Sequence, residues 1–170
     1  MKQFENFLEI VKLYSEIYKK FEDFQNDKEN FFIPKKGDQK TGIIGESFVF
    51  EYLNRTKQKD LHFGSHSEKG WDIESKDYKY QIKTVSAFSE TGILSPIHNG
   101  WDFLYLIKLN TSFLPCKVLK IENPRNWNKN IIKGKRYPSD GSKTFEICGK
   151  ECIIIDETNM FLNVLDIKNT

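Results

Sequence analysis

Asp72, Gln81 and Lys83 are the residues of this chain whose types and spacing suit chemistry. They lie in the stretch Trp71 to Lys83, WDIESKDYKYQIK, which reads as two short strands joined by a polar turn of Ser75, Lys76 and Asp77. Side chains two apart on a strand share a face, so Gln81 and Lys83 project together while Ile82 points to the core. Folding the hairpin back brings Asp72 beside that pair. One carboxylate, one amide oxygen and one ammonium then share a surface. Oxygen donors suit a hard cation such as Mg²⁺, and a lysine beside it can hold and polarise a water.

Upstream, TGIIGESFVFEYLNR has helical spacing, with Phe48, Val49, Tyr52 and Leu53 on its apolar side and Thr41 as the expected N-cap. Gly42 and Gly45 each cost about 1 kcal/mol there relative to alanine, so a close neighbour is expected: the sheet or a DNA phosphate. Glu46 follows and points to the same side. Downstream, FLYLIKL within Asp102 to Leu109 is the clearest buried strand.

The spacing D-x8-Q-x-K, preceded by this helix and followed by that strand, resembles the PD-(D/E)XK nucleases. Many restriction endonucleases, resolvases and repair nucleases share that fold. The resemblance covers Thr41 to Leu109. Two positions depart from the family pattern: Trp71 stands where a proline is usual, and Gln81 where an acid is usual. Glutamine at the second position occurs in some branches, Mrr-like enzymes among them.

The resemblance implies an α/β fold with a central mixed sheet flanked by helices, and a Mg²⁺-dependent DNA endonuclease in which Mn²⁺ can substitute. Asp72, Gln81, Glu46 and the Ile82 carbonyl would ligate the metal, and Lys83 would orient the attacking water. For so small a chain the nearest role is a type II restriction endonuclease. Such an enzyme cuts duplex DNA as a homodimer beside a companion DNA methyltransferase. A Holliday-junction resolvase, a repair nuclease, or a non-cleaving DNA-binding subunit of the same fold are the alternatives.

The 170 residues fit a single domain with a core rich in aromatics, given 14 Phe, 7 Tyr and 3 Trp. A net charge of +2 does not by itself declare a nucleic-acid binder, so the local distribution matters more. Between residues 117 and 143, eight basic residues face only Glu122 and Asp140, interleaved with Trp127 and Tyr137. Beside a phosphodiesterase site such a run suits DNA backbone, through Lys129, Lys133, Lys135, Arg136 and Lys143. Ser86, at the end of YQIKTVS, and His98 and Asn99, in the loop that follows, have the chemistry to contact phosphate or base edges. Cys116, Cys148 and Cys152 form no zinc pattern and read as free thiols. No apolar stretch approaches the ~20 residues of a membrane span, and the N-terminus has no signal-peptide core, so a cytoplasmic protein is expected.

Residues 1–26 carry one long amphipathic helix with Phe7, Ile10, Tyr14, Ile17, Phe21 and Phe24 at spacings of three and four. It either packs on its own domain or carries a dimer through Phe7, Tyr14 and Phe21. Lys28 to Lys40 is a connector, and Asn54 to Gly70 a polar link with His62 and His66 as surface residues. Cys116 to Ile121 is a further strand. Asn123-Pro124 opens a short helix, a hairpin turns at Gly149-Lys150, and Met160 to Leu165 is an apolar element over the sheet, within an acidic tail containing Glu157.

Overall fold

The computed structural model describes residues 2–26, 40–64, 70–89, 91–125, 127 and 129–168; at 21, 22, 24–26 and 40 only the backbone is described. The elements are α1 (Lys2–Asn26), α2 (Lys40–Arg55), β1 (His62–Phe63), β2 (Ile73–Glu74), β3 (Lys79–Ser86), β4 (Ile97–His98), β5 (Phe103–Leu109), β6 (Pro115–Glu122), β7 (Ile131–Ile132), β8 (Thr144–Ile147), β9 (Lys150–Asp156) and α3 (Thr158–Leu165). Seven strands form one mixed sheet in the order β1-β2-β3-β5-β6-β9-β8, and β4 pairs with β7 alone. Among the described strands only β3 and β5 pair in parallel, in register from Tyr80↔Phe103 to Ser86↔Leu109. No described helix is long and apolar enough to cross a membrane.

Strand alternation splits the interior in two. Tyr105 and Ile107 face a core shared with Phe4, Val11, Phe48, Val49, Tyr52 and Phe161 of the three helices. Leu104 and Leu106 face a second core with Leu94, Ile97, Trp101 and Trp127. All three helices thus lie on one face, and the β4–β7 ribbon with its flanking loops covers the other. This corrects the expectation of a sheet flanked by helices. Both faces of β5 are buried, which is why FLYLIKL runs nearly unbroken in apolar character.

α1 packs on its own domain. Phe4 and Val11 are buried, Phe7 meets Phe48 edge-on at 5.1 Å, and Tyr14 meets Phe113 at 5.1 Å. Phe7 and Tyr14 are therefore partly buried against the core, and the side chain of Phe21 lies outside the described residues. Among the described side chains of α1, the large apolar groups left exposed are Ile10, Leu13 and Ile17.

Other sequence expectations shift. Thr41 is buried in the first turn of α2 and is not its N-cap, because the helix already includes Lys40. No described residue near Asn123-Pro124 is helical. Asn123 spends its Oδ1 on the Arg125 amide and the Trp127 indole, and its Nδ2 on the Trp101 carbonyl, which holds an open turn. The β8–β9 hairpin turns at Cys148-Gly149, both at positive φ, one residue before the expected place. His62 lies in β1, while His66 and the segment 27–39 fall outside the described residues. Glu157 is no solvated tail acid. Its Oε2 accepts from the hydroxyls of Tyr52 and Tyr105, each at 3.2 Å, and Lys120 lies 3.5 Å from its other oxygen. Burial and that carboxylate push both tyrosines above their ordinary range.

Candidate active site

The site grows from an incomplete ladder. β2 is two residues long, and its ladder with β3 reaches Lys79 and Tyr80. The Asp72 amide adds one more bond, donating to the Tyr80 carbonyl at 2.8 Å. Beyond Tyr80, no strand among the described residues lies along this edge of β3. There the Asp72 carboxylate takes over, accepting the Ile82 amide at 2.7 Å. The amide and carbonyl of one strand residue point to the same side, so the Ile82 carbonyl is directed to this open edge as well.

α2 brings Glu46 to the same edge through Gly45. A Cβ on Gly45 would lie 2.0 Å from Thr84 Oγ1, so only glycine lets the helix approach β3 this closely. The expected close neighbour is the sheet. Thr84 Oγ1 is buried there without a hydrogen-bond partner.

Glu46, Asp72 and Lys83 perturb one another. Burial, and then the charge of Asp72, push the Glu46 carboxyl up to about 7, with Lys83 opposing the rise. Burial likewise raises Asp72, against the Ile82 hydrogen bond and the charges of Lys83 and His98. Lys83, 9% exposed, is lowered by burial while both carboxylates hold it up. Two partly buried acids and one buried lysine with displaced titration are the kind of cluster that active sites contain.

Gln81 shares the face of Lys83, as the alternation requires, but it is committed elsewhere. It is 2% exposed; its Nε2 donates to the Gly70 carbonyl at 2.9 Å and its Oε1 accepts the His98 amide at 3.1 Å. Gly70, at φ +114°, lies so close to the Asn99 carbonyl that a Cβ would fall 1.9 Å from that oxygen. Gly70, Gln81 and His98–Asn99 thus form one tight junction.

β7 pairs antiparallel with β4, His98 opposite Ile131, so the basic segment lies beside the junction. Lys129, Lys133, Arg136 and Lys143 are exposed. Lys135 is bound to Glu146 at 2.6 Å, Lys117 to Asp156 at 2.6 Å, and Lys120 to Glu157. The run therefore presents fewer free cations than its composition suggests. Ser86 ends β3, two residues beyond Thr84. Asn99 binds locally: its Oδ1 accepts from Gly100 and its Nδ2 reaches the Trp127 carbonyl.

Glu46, Asp72 and the Ile82 carbonyl offer oxygen donors only, which suits a hard divalent cation, and such a charge would offset the burial that raises both acids and the repulsion by Asp72 that adds to it at Glu46. Among the described residues no three His, Cys, Asp or Glu side chains gather as a metal site, so the carboxylate pair stands without a third protein anion. Comparison with protein-family models and with curated proteins finds no match for this chain.

Proposed function

We propose that this protein is a divalent-cation-dependent DNA endonuclease of the PD-(D/E)XK type. The observation that carries the reading is the convergence of Glu46, Asp72 and Lys83, with mutually displaced titration, where β2 stops pairing with β3. Asp72, Glu46 and the Ile82 carbonyl would hold Mg²⁺, or Mn²⁺ in its place. Gln81, whose polar atoms are spent on Gly70 and His98, is left out of that set. The bound cation supplies charge to offset that of the scissile phosphate. Lys83 orients a water toward the phosphorus and, its pKa lowered by burial, gives up a proton more readily than an exposed lysine. Asp72 is fixed by the Ile82 amide and so holds its position as charge develops. Lys129, Lys133, Arg136 and Lys143 contact the backbone of duplex DNA, with His98 between them and Asp72.

The biological role that follows is restriction by a cytoplasmic homodimer with a companion DNA methyltransferase; a junction resolvase or repair nuclease would use the same residues. A dimer interface on α1 would use Ile10, Leu13 and Ile17, which are exposed, and not Phe7 or Tyr14. A second reading, a non-cleaving DNA-binding subunit, draws on the lack of a third acidic side chain among the described residues.

Supercoiled plasmid incubated with Mg²⁺, Mn²⁺ or EDTA separates the two. We expect metal-dependent cleavage that Asp72→Asn and Lys83→Met each abolish, with DNA binding in Ca²⁺ retained. Full cleavage by either purified variant would remove the site assignment. DNA binding without cleavage by the wild-type protein would favour the subunit.

A further inference from the structure

We propose that Gln81 is a positioning residue that ties the DNA-contacting ribbon to the catalytic strand. The inference rests on the nuclease reading above for what the ribbon does, but the tie itself is visible in the geometry. Segments 91–100 and 129–137 run side by side as an irregular antiparallel pair. The Tyr137 amide donates to Gly92, Leu94 to Lys135, and Asn99 to Asn130, with the short β4–β7 ladder between. Ile93 and Arg136 form a further bridge. Lys129, Lys133 and Arg136 all hang on this ribbon.

The ribbon meets the main sheet by packing of Ile97 and Trp127 on the second core, and apolar packing leaves sliding along the sheet weakly opposed. Directional bonds add to that packing: the Tyr137 hydroxyl lies 3.4 Å and 3.5 Å from the Leu106 and Lys117 carbonyls, Lys135 meets Glu146 at 2.6 Å, and beside Asp72 and Lys83 the bond is made by Gln81. Gln81 reaches from β3 and accepts the His98 amide, while its other end holds the Gly70 carbonyl two residues before Asp72. The indole of Trp101 donates to the His98 carbonyl at 2.7 Å and braces the same residue. Gln81 thereby links the ribbon to the strand that carries Lys83 and to the chain just before Asp72.

A neutral amide is the group this junction needs. It must donate to one backbone carbonyl and accept from one backbone amide, and a carboxylate can only accept. A glutamate at 81 would put an oxygen against the Gly70 oxygen, in a place with almost no solvent. The acid usual at this position in the resembling family is thus replaced by the one isosteric side chain that satisfies both backbone groups.

The test compares wild type with Gln81→Glu, which keeps the shape but loses the donor, and Gln81→Met, which loses both bonds. Amide hydrogen exchange of the protein alone should show His98 exchanging at least about tenfold faster in Gln81→Met, which loses the acceptor, and in Gln81→Glu, whose repulsion from the Gly70 oxygen pulls the carboxylate off the His98 amide. With DNA, KM should rise about tenfold, with kcat at saturating DNA and the Mg²⁺ concentration for half-activity each within about threefold of wild type. A purely architectural glutamine would lower Tm and leave KM unchanged, which would overturn the proposal. A Gln81→Glu protein that needs less Mg²⁺, with His98 exchange unchanged, would also overturn it and return Gln81 to the cation. Should Gln81→Met not fold, Gln81→Glu carries the comparison. Absence of cleavage by the wild type would remove the nuclease reading; exchange at His98 and DNA affinity in Ca²⁺ would still decide the tie.

Discussion

Glu46→Gln separates the catalytic from the conformational cost of the carboxylate pair. A carboxyl moved from 4.5 to about 7 gives stability a definite pH dependence. Between those values the folded chain keeps a proton that the unfolded chain has released, so stability falls as pH rises through that window. Below it both states are protonated and nothing is lost; above it both are ionised and the full cost is present. At about 1.4 kcal/mol per pH unit the cost has a ceiling of ~3 kcal/mol. Glu46 keeps solvent contact, and screening reduces this to ~1–2 kcal/mol. Glutamine has the same shape and no charge. Urea melts of both proteins without metal, from about pH 5 to about pH 8, should therefore start together. The variant should then pull ahead by ~1–2 kcal/mol at the alkaline end. Adding Mg²⁺ should stabilise the wild type more at the alkaline end and close that gap, while the variant loses most of its cleavage. A stability difference that does not change with pH would refute the argument, because it would show that Glu46 does not titrate near neutrality.

Two further perturbations follow from the packing and the charges. Gly45→Ala drives a methyl into Thr84 and should destabilise the protein by ~1–3 kcal/mol, and the double variant Gly45→Ala/Thr84→Ala should recover most of that in thermal melts. Failure to recover would place the strain elsewhere. Alanine at Lys133 and Arg136 should lower the log–log salt slope of DNA binding by ~0.9 for each lost phosphate contact. Lys135→Ala should lower it less, because Lys135 is already held by Glu146. Equal effects at all three positions would argue that the Glu146 pair opens on binding.

The parts of this fold that could be read in the sequence are those governed by periodicity. α1, α2, β3, β5 and the β8–β9 hairpin each carry their own period of apolar residues or their own turn, and each forms where that pattern lies. Asp72 and Lys83 were legible for the same reason, since the hairpin between them is local. Glu46 needed one long-range contact, and Gly45 signalled it by being a poor helix residue in an otherwise good helix. The rest depended on partners that no local pattern specifies. Asn123-Pro124 has the form of a helix start, yet Asn123 finds Trp101 and Trp127 and caps a turn instead. Glu157 looks like part of an acidic tail until two tyrosines from α2 and β5 converge on it. The side of α1 that faces the core could not be chosen from its stripe alone, because apolar residues run around much more than one face. Gln81 was visible as an anomaly in its motif, but its purpose lay in Gly70 and His98, both outside the strand.

The brevity of β2 explains why chemistry is concentrated at this edge. Had β2 continued, its backbone would have taken the Ile82 amide and closed the edge with neutral hydrogen bonds. The turn from Ser75 to Tyr78 closes one end of this ladder, and at the other the chain departs at Gly70, which has φ +114° and packs against Asn99. The next donor must then be met by a side chain, and Asp72 meets it. That bond also divides the two acids. Both are raised by burial, but the Ile82 amide restrains the rise at Asp72, whereas Glu46 has no such restraint and adds the repulsion of Asp72 to its own desolvation. Glu46 is thereby the acid of the pair that changes charge near neutrality, and a cation arriving beside it favours its ionised form.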